Sequence, residues 1–525
     1  MRVPGEGDEG SLREFTLNMA TEIELKLLIN PADIARLRRH PLLKAQAAGR
    51  ARTRNLLSIY FDTPDLTLRQ QRVALRVRRV GARWVQTVKG GGEVRAGLHQ
   101  RGEWEDEVAH ERPDLTKIDS PSLLKLFSSA AVRDRLRPIF TTEFKRTTWL
   151  LHWDDGDEVE LALDQGEVKS GNKTSPVCEI ELELKHGNPA RLFLAALELQ
   201  QTIPLRLENV SKADRGYRLS QAAPSLVTKA ETLEMTQDMS VTQAFQAIAW
   251  NCISHWTANQ EGALLSDNPE NIHQIRVALR RLRSALPLFR SAIPRESYRA
   301  IGEELKWLAN ALGPARNWDV FVTQTMPPIL KQFPADKALQ QLFQAARRAQ
   351  ASARNEAHLA LRSHRYDRML LTLGTWLMAD GWHAHTSAEQ KIRLDAPVAE
   401  LAKRVLNACH KTLHRHGKSL LAMPTEERHE VRIAVKKLRY ATEFFAALFP
   451  RKAALAYTEA LAALQEELGV LNDAATTDIL LQQLKLQDNA AIGAVSGWSA
   501  HGVTVHLTSM DAAWKKFYRS SPYWK

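Results

Sequence analysis

Cysteine is scarce: Cys178, Cys252 and Cys409 are the only three in 525 residues, too few and too far apart for a zinc motif or a disulfide framework. They read as buried thiols in a reducing compartment, so a cytoplasmic location is expected. Long apolar runs are missing too. Nothing approaches the ~20 residues of a membrane span, and the first residues hold no apolar leader segment. No membrane partner is expected. Acid is short relative to base, with 60 Asp and Glu against 72 Lys and Arg and a net charge of +12. That excess favours a polyanion as partner, whether nucleic acid, an acidic surface or a phosphate polymer. No nucleic-acid-binding motif is visible, so nucleic acid is not expected. At 44% hydrophobic residues the composition is globular, and the length allows about two to four domains.

Residues 1–18 are polar, Gly-rich and without period, and read as a disordered extension. From Thr21 a different pattern begins. Reading by twos, Glu22, Glu24 and Lys26 share one face of a strand, and Ile23, Leu25 and Leu27 the other. The same alternation returns strand after strand. Leu56–Asp62 is next, and Val73–Val80 follows with Arg76 and Arg78 on its polar face. Arg83–Gly90 brings Lys89 before a flexible Gly90–Gly92. Arg101–Val108 carries Arg101, Glu103 and Glu105, and Thr142–Trp153 carries Arg146. Glu158–Asp164 supplies Glu160 and Asp164, and Val177–Lys185 supplies Glu179, Glu181, Glu183 and Lys185. One helix, entered at Asn30-Pro31 and faced by Ile34, Leu37, Leu42 and Leu43, interrupts the strands. A merely solvated sheet has no need of acid and base together in so many strands. About eight such strands close into a barrel when the apolar face turns outward under helices and the charged face lines a lumen. Ions enclosed that way are costly unless they pair or bind a ligand.

Seven short motifs then stand in order: Glu22-x-Glu24-x-Lys26, Tyr60–Thr63, Leu75–Arg78, Thr87–Gly90, Leu163–Gly166, Glu179–Glu183 and Ser211-Lys212. Together they resemble the CYTH domain, the triphosphate tunnel metalloenzyme family, over residues 19–220. The resemblance implies an eight-stranded antiparallel tunnel that binds a linear triphosphate with Mg²⁺ or Mn²⁺. By that likeness Glu22, Glu24, Asp164, Glu181 and Glu183 hold the metal. Lys26, Arg76, Arg78, Lys89, Arg146 and Lys212 grip phosphate oxygens, and Glu103 and Glu105 assist with metal or water.

Residues 221–239 read as a linker. Beyond them the period changes to 3.6 through an Ala- and Leu-rich region, 240–515, that reads as all helix. It is internally duplicated. His273-x-x-Arg276-x-x-x-Arg280-Arg281-Leu282-Arg283 returns 156 residues later as His429-x-x-Arg432-x-x-x-Lys436-Lys437-Leu438-Arg439, since 429 − 273 = 156. Leu312-Gly313 with Asn317 and Asp319 is echoed by Leu468-Gly469 with Asn472 and Asp473. On a helix, His273, Arg276, Arg280 and Arg283 form one basic stripe, and His429, Arg432, Lys436 and Arg439 a second. Neither stripe contains an acid, whereas a solvated face mixes both signs. Two such stripes repel unless an anion lies between them. The duplicated motif resembles the CHAD domain, which implies a helical bundle binding inorganic polyphosphate. His410, His414 and His416 read as a basic helix surface, and Trp307, Trp318 and Trp376 as core.

The expected fold class is therefore α+β: an eight-stranded antiparallel tunnel with flanking helices, then an all-α bundle with an internal two-fold repeat. The expected activity is metal-dependent hydrolysis of inorganic triphosphate to pyrophosphate and phosphate, with the helical region binding polyphosphate. The alternatives are an organic-triphosphate enzyme (adenylate cyclase or thiamine triphosphatase) and a non-enzymatic polyphosphate-binding protein.

Overall fold

Period-two alternation does close on itself in the computed structural model, which describes residues 21–221, 227–417, 420, 421, 423–486 and 489–524. The extension expected over 1–18 lies outside the described residues. Nine strands form one sheet: β1 Thr21–Leu28, β2 Arg52–Asp62, β3 Val73–Val80, β4 Arg83–Arg95, β5 Leu98–Val108, β6 Arg137–His152, β7 Glu158–Ser170, β8 Lys173–His186 and β9 Arg206–Leu207. Their order is β5-β4-β3-β2-β6-β7-β8-β1-β9, and β1 also pairs with β5. Eight strands, all antiparallel to their neighbours, thus make a closed barrel, and the two-residue β9 pairs with Leu27 and Leu28 of β1 beyond the stretch that pairs with β5. Closure removes the free edges that an open sheet would expose.

The apolar residues of each strand fall on one face. Leu25, Leu27, Leu75, Val77, Leu161, Leu163, Ile180 and Leu182 are all fully buried. Helix Pro121–Ser128 covers β3 and β4 with Leu123 and Phe127. Helix Ala190–Gln200 packs on β1 and β8 with Leu192, Phe193 and Leu199 among its buried residues. Helix Lys212–Ser220 starts at a Ser211 capping box and crosses β6 where Gly216 lies so close to Phe140 that a Cβ would come within 2.1 Å of the ring. It is this helix that carries Lys212 to the barrel.

Two local expectations are corrected. The single helix after Asn30 is split, because Pro41 cannot continue the turn before it; Ile34–Arg38 ends and Pro41–Gln46 begins afresh, with His40 Nδ1 accepting from Leu42 N. Gly90–Gly92 is not a flexible loop but part of β4, where a bulge shifts the register against β5 and Gly91 and Gly92 take φ of 66° and 92°.

The chain divides into two compact units, Met1–Leu226 with Asp367–Ala379, and Val227–Tyr366 with Asp380–Lys525. The second is helical. Its duplicated motifs sit on helices Pro269–Leu288 and Thr425–Phe445, which pack on each other. The copies then differ. Pro314 starts a new helix, Gly313–Val320, after Arg295–Ala311, whereas Val470 at the equivalent place lets Arg451–Gln483 run unbroken for 33 residues. Asn472 lies in that long helix, its side chain outside the described residues. His410 and His414 are not a basic surface. Both are half-buried; His410 Nδ1 meets Tyr457 Oη at 2.9 Å, and the His414 ring stacks on Tyr518. Trp318 is buried, while Trp307 and Trp376 are only partly so.

Candidate active site in the tunnel and a basic cluster in the helical unit

The charged face of the strands encloses a cavity of about 220 Å³. Glu22, Glu24, Lys26, Arg76, Arg78, Lys89, Glu103, Glu105, Arg146, Glu181, Glu183 and Lys212 all line it, so twelve of the tunnel residues expected from the sequence share one wall. Asp164, fully buried, lies behind that wall. Pairing register explains the arrangement: Glu24 sits opposite Glu183, Lys26 opposite Glu181, and Lys89 opposite Glu103.

At one end of the wall, Lys212 Nζ lies 2.7 Å from Asp164, 2.5 Å from Glu179 and 2.9 Å from Glu181. Those three acids bring carboxylate oxygens within 4.8 Å of one another, a spacing that suits a cation; here the ammonium fills that role. Arg146 binds Asp164 through two bonds and also reaches Glu181. Burial would lift the Asp164 and Glu181 carboxyls, yet the surrounding cations hold both below the usual carboxylate range. Next along, Lys26 joins Glu24 at 2.7 Å and Glu181. Burial and Lys26 oppose each other at Glu24, and the lysine wins, lowering it to about 2.

The other end is less balanced. Glu22 pairs with Lys89 and Glu183 with Lys185, but burial raises both carboxyls above their ordinary value, helped at Glu22 by Glu24. Desolvated carboxylates gain from a cation brought beside them, and hard carboxylate oxygens are the donors that Mg²⁺ and Mn²⁺ take. Arg76 faces Glu103 at 3.4 Å and Glu105 at 3.9 Å. Arg78 donates to Ser58 Oγ at 3.1 Å. Among the described residues, Arg78 and Arg101 are the tunnel arginines with no carboxylate at salt-bridge distance. Burial, with Arg76 and Arg146 nearby, pushes Arg78 down to about 10.

Sequence reasoning missed several wall residues. Arg101 shares the face of Glu103 and was visible in the alternation of β5, yet was not carried to the site. His99, two residues earlier on the same face, is buried behind the wall and carries no signal in the alternation. Tyr60 lines the cavity from the Tyr60–Thr63 motif, its hydroxyl lowered from the ordinary value because Arg76 and Arg78 outweigh burial. Glu179 joins the Lys212 cluster, and Arg215 bridges Glu179 at 3.2 Å to Glu208 at 2.6 Å behind it.

In the helical unit, Arg276, Arg280, Arg432 and Lys436 are brought into one electrostatic neighbourhood, joined by Arg316 from the Gly313–Val320 helix. Arg280 Nε also donates to Tyr440 Oη across the two copies at 3.4 Å. Crowded like charge and partial burial lower Arg276 to about 10, Lys436 to about 8 and His273 to about 4. Arg283 and His429 are exposed, and Arg439 is half-exposed. Arg281 faces the core instead, donating to Glu443 at 2.7 Å beneath Phe444. Asp319 is buried and takes bonds from Gln350 and Arg354, while Asp473 faces Arg432 and Lys436.

Residues 20–217 match the family model of the CYTH domain, and residues 247–482 that of the CHAD domain. A Haemophilus influenzae protein named inorganic triphosphatase is 34% identical over 210 residues, 38% of this chain; the match spans 55% of that relative's length. An uncharacterized Mycobacterium tuberculosis protein is 25% identical over 418 residues, 74% of this chain and 75% of its own. The CHAD domain crystal structure from the plant Ricinus communis is 33% identical, covering 55% of this chain and 96% of that one, with a TM-score of 0.48.

Proposed function

From a chain that carries a CYTH domain followed by a CHAD domain, we propose a metal-dependent hydrolase that cleaves inorganic triphosphate to pyrophosphate and phosphate inside the tunnel, while the helical unit binds polyphosphate. The observation that supports this most is the cavity wall, where eight basic side chains meet six acidic ones. Its uncharged lining is only Tyr60, Ala74, Ser211 and Ala213. A wall of that kind fits a chain of phosphates and offers no apolar pocket for a nucleobase or a thiazole. The name of the Haemophilus influenzae relative supports the same substrate class.

Glu22, Glu24, Glu181 and Glu183 are the metal-holding carboxylates, with Asp164 behind them. A hard divalent cation bound by these carboxylates would supply charge neutralisation for the substrate. The chain's own residues do the rest. Arg76, Arg78, Lys89 and Arg146 fix the phosphate oxygens and stabilise charge that grows as the bridging bond breaks. Lys26 and Lys212, already tied to carboxylates, hold those acids ionised and in place. Glu103 and Glu105 orient the attacking water. In the helical unit, the basic cluster of Arg276, Arg280, Arg432 and Lys436, in which cations outnumber the one neighbouring carboxylate of Asp473, takes polyphosphate, together with His273, Arg283, His429 and Arg439 around it.

The test is phosphate release by the full chain from tripolyphosphate, ATP and thiamine triphosphate with Mg²⁺ or Mn²⁺. Turnover fastest on tripolyphosphate is expected. No release across divalent metals overturns the reading, and faster turnover of ATP or thiamine triphosphate moves it to an organic substrate.

A further inference from the structure

We infer that Arg101 is a further phosphate ligand of the tunnel and that His99 is the residue that positions it, an assignment that rests on the triphosphate reading above. Arg101 sits on β5 directly opposite Glu22 on β1, yet Glu22 turns to Lys89 instead. The partner Arg101 does have is His99 Nδ1, 3.1 Å from its Nη2. On the other side of the ring, His99 Nε2 faces the carbonyl oxygen of Glu208 at 3.4 Å.

These two contacts fix the ring's chemistry. A carbonyl oxygen only accepts, so Nε2 carries the hydrogen; a guanidinium only donates, so Nδ1 presents its lone pair. Only the neutral Nε2–H tautomer satisfies both, and the fully buried ring lies beside the cation of Lys26, which favours the uncharged form. The arginine stem is held as well. Gly92, in the β4 bulge with φ of 92°, lies where a Cβ would come 3.0 Å from Arg101 Cγ and 2.0 Å from Gln100 O. Bulge and imidazole together confine a long side chain that would otherwise lose affinity to rotamer freedom.

A neutral acceptor leaves the guanidinium its full positive charge and occupies one of its donors, so the others can serve a ligand in the cavity that Arg101 lines. The other tunnel arginines except Arg78 spend donors on carboxylates. Arg101 therefore offers an anion what Arg76 and Arg146 have partly committed, and it does so beside Glu22, at the end of the wall where carboxyls are raised.

The experiment measures kcat and KM on tripolyphosphate, with melting curves, for the full chain and for Arg101→Ala, His99→Leu, His99→Asn and the Arg101→Ala/His99→Leu double variant. Arg101→Ala is expected to raise KM about tenfold or more. His99→Leu raises KM about threefold to tenfold with kcat little changed, and His99→Asn, whose carbonyl can stand in for Nδ1, restores most of the loss. The double variant is no worse than Arg101→Ala alone, because His99 acts through the arginine. An unchanged KM in folded His99→Leu, or additive losses in the double variant, overturns the assignment while the wild type still turns over. Wild-type protein that leaves tripolyphosphate intact overturns the tunnel reading and this assignment with it.

Discussion

Arg146 grips Asp164 with two parallel bonds, Nε to Oδ1 at 2.8 Å and Nη2 to Oδ2 at 2.6 Å, and Asp164 is fully buried. Replacing Arg146 by Leu leaves that carboxylate with Lys212 alone. A loss of about 3–5 kcal/mol in unfolding free energy is expected at neutral pH, the usual result of breaking a buried pair. The Asp164 carboxyl is lowered in the folded state, so its contribution is present above the unfolded value and fades as pH falls through the folded one. Denaturant unfolding of wild type and Arg146→Leu should therefore differ most near neutrality and converge in acid below about pH 4.

Lys436 titrates near 8 because burial and the cations Arg432, Arg280 and Arg276 outweigh Asp473. Its ammonium is fully charged below that value and lost above it. Polyphosphate affinity of the full chain, followed by calorimetry at constant ionic strength, should weaken as pH rises through 8. In Lys436→Arg, whose guanidinium stays charged, the same titration should be flat across that window.

Glu22 and Glu183 are raised above the ordinary carboxylate value. Protons and divalent cations then compete for them, so the Mg²⁺ concentration needed for half-maximal turnover should climb as pH falls. Chelation should abolish hydrolysis and added Mg²⁺ or Mn²⁺ restore it. Glu183→Gln should raise the metal requirement while changing the unfolding free energy by no more than about 0.5 kcal/mol, since its ion pair is with the exposed Lys185.

Arg78 and Lys26 should fail in different ways. Arg78 is a desolvated cation with a serine for a partner. Arg78→Ala should raise KM for tripolyphosphate about tenfold or more, as loss of a charged hydrogen-bond donor does, with melting unchanged or higher because repulsion from Arg76 and Arg146 is relieved. Lys26→Ala instead takes from buried Glu24 its salt-bridge partner and leaves Glu181 to Lys212 and Arg146. It should lose both turnover and stability.

Much of the tunnel was legible because period-two alternation is a strong signal when both faces are distinctive. Val73–Val80 matches its strand end to end, and the charged faces of β1, β3, β5 and β8 converge on the cavity as expected. What escaped was set by neighbours distant in sequence. Nothing around Gly90–Gly92 says that a bulge will bend back over Arg101, since the partner strand decides it. His99 looks like any strand histidine until Glu208, 109 residues away, presents a carbonyl to it. In the helical unit the fixed offset of 156 exposed the duplication, and helical spacing left Arg281 off the stripe that holds Arg280, but its partner Glu443, 162 residues away, was not to be read from spacing.

The first strand of the tunnel bonds to β5, β8 and β9, elements that reach to Leu207. During synthesis, then, Glu22, Glu24 and Lys26 emerge early and wait. Lys26 meets Glu181 across 155 residues of chain, so the ion pairs of the wall are among the last contacts to form, after the loop-closure entropy of nearly the whole domain has been met. Until that moment the charges stay hydrated, and the half-built sheet has two open edges. A chain truncated before β8 leaves the ribosome with its acids and bases facing water and its barrel unsealed, and it is in that interval that the domain is most exposed to aggregation.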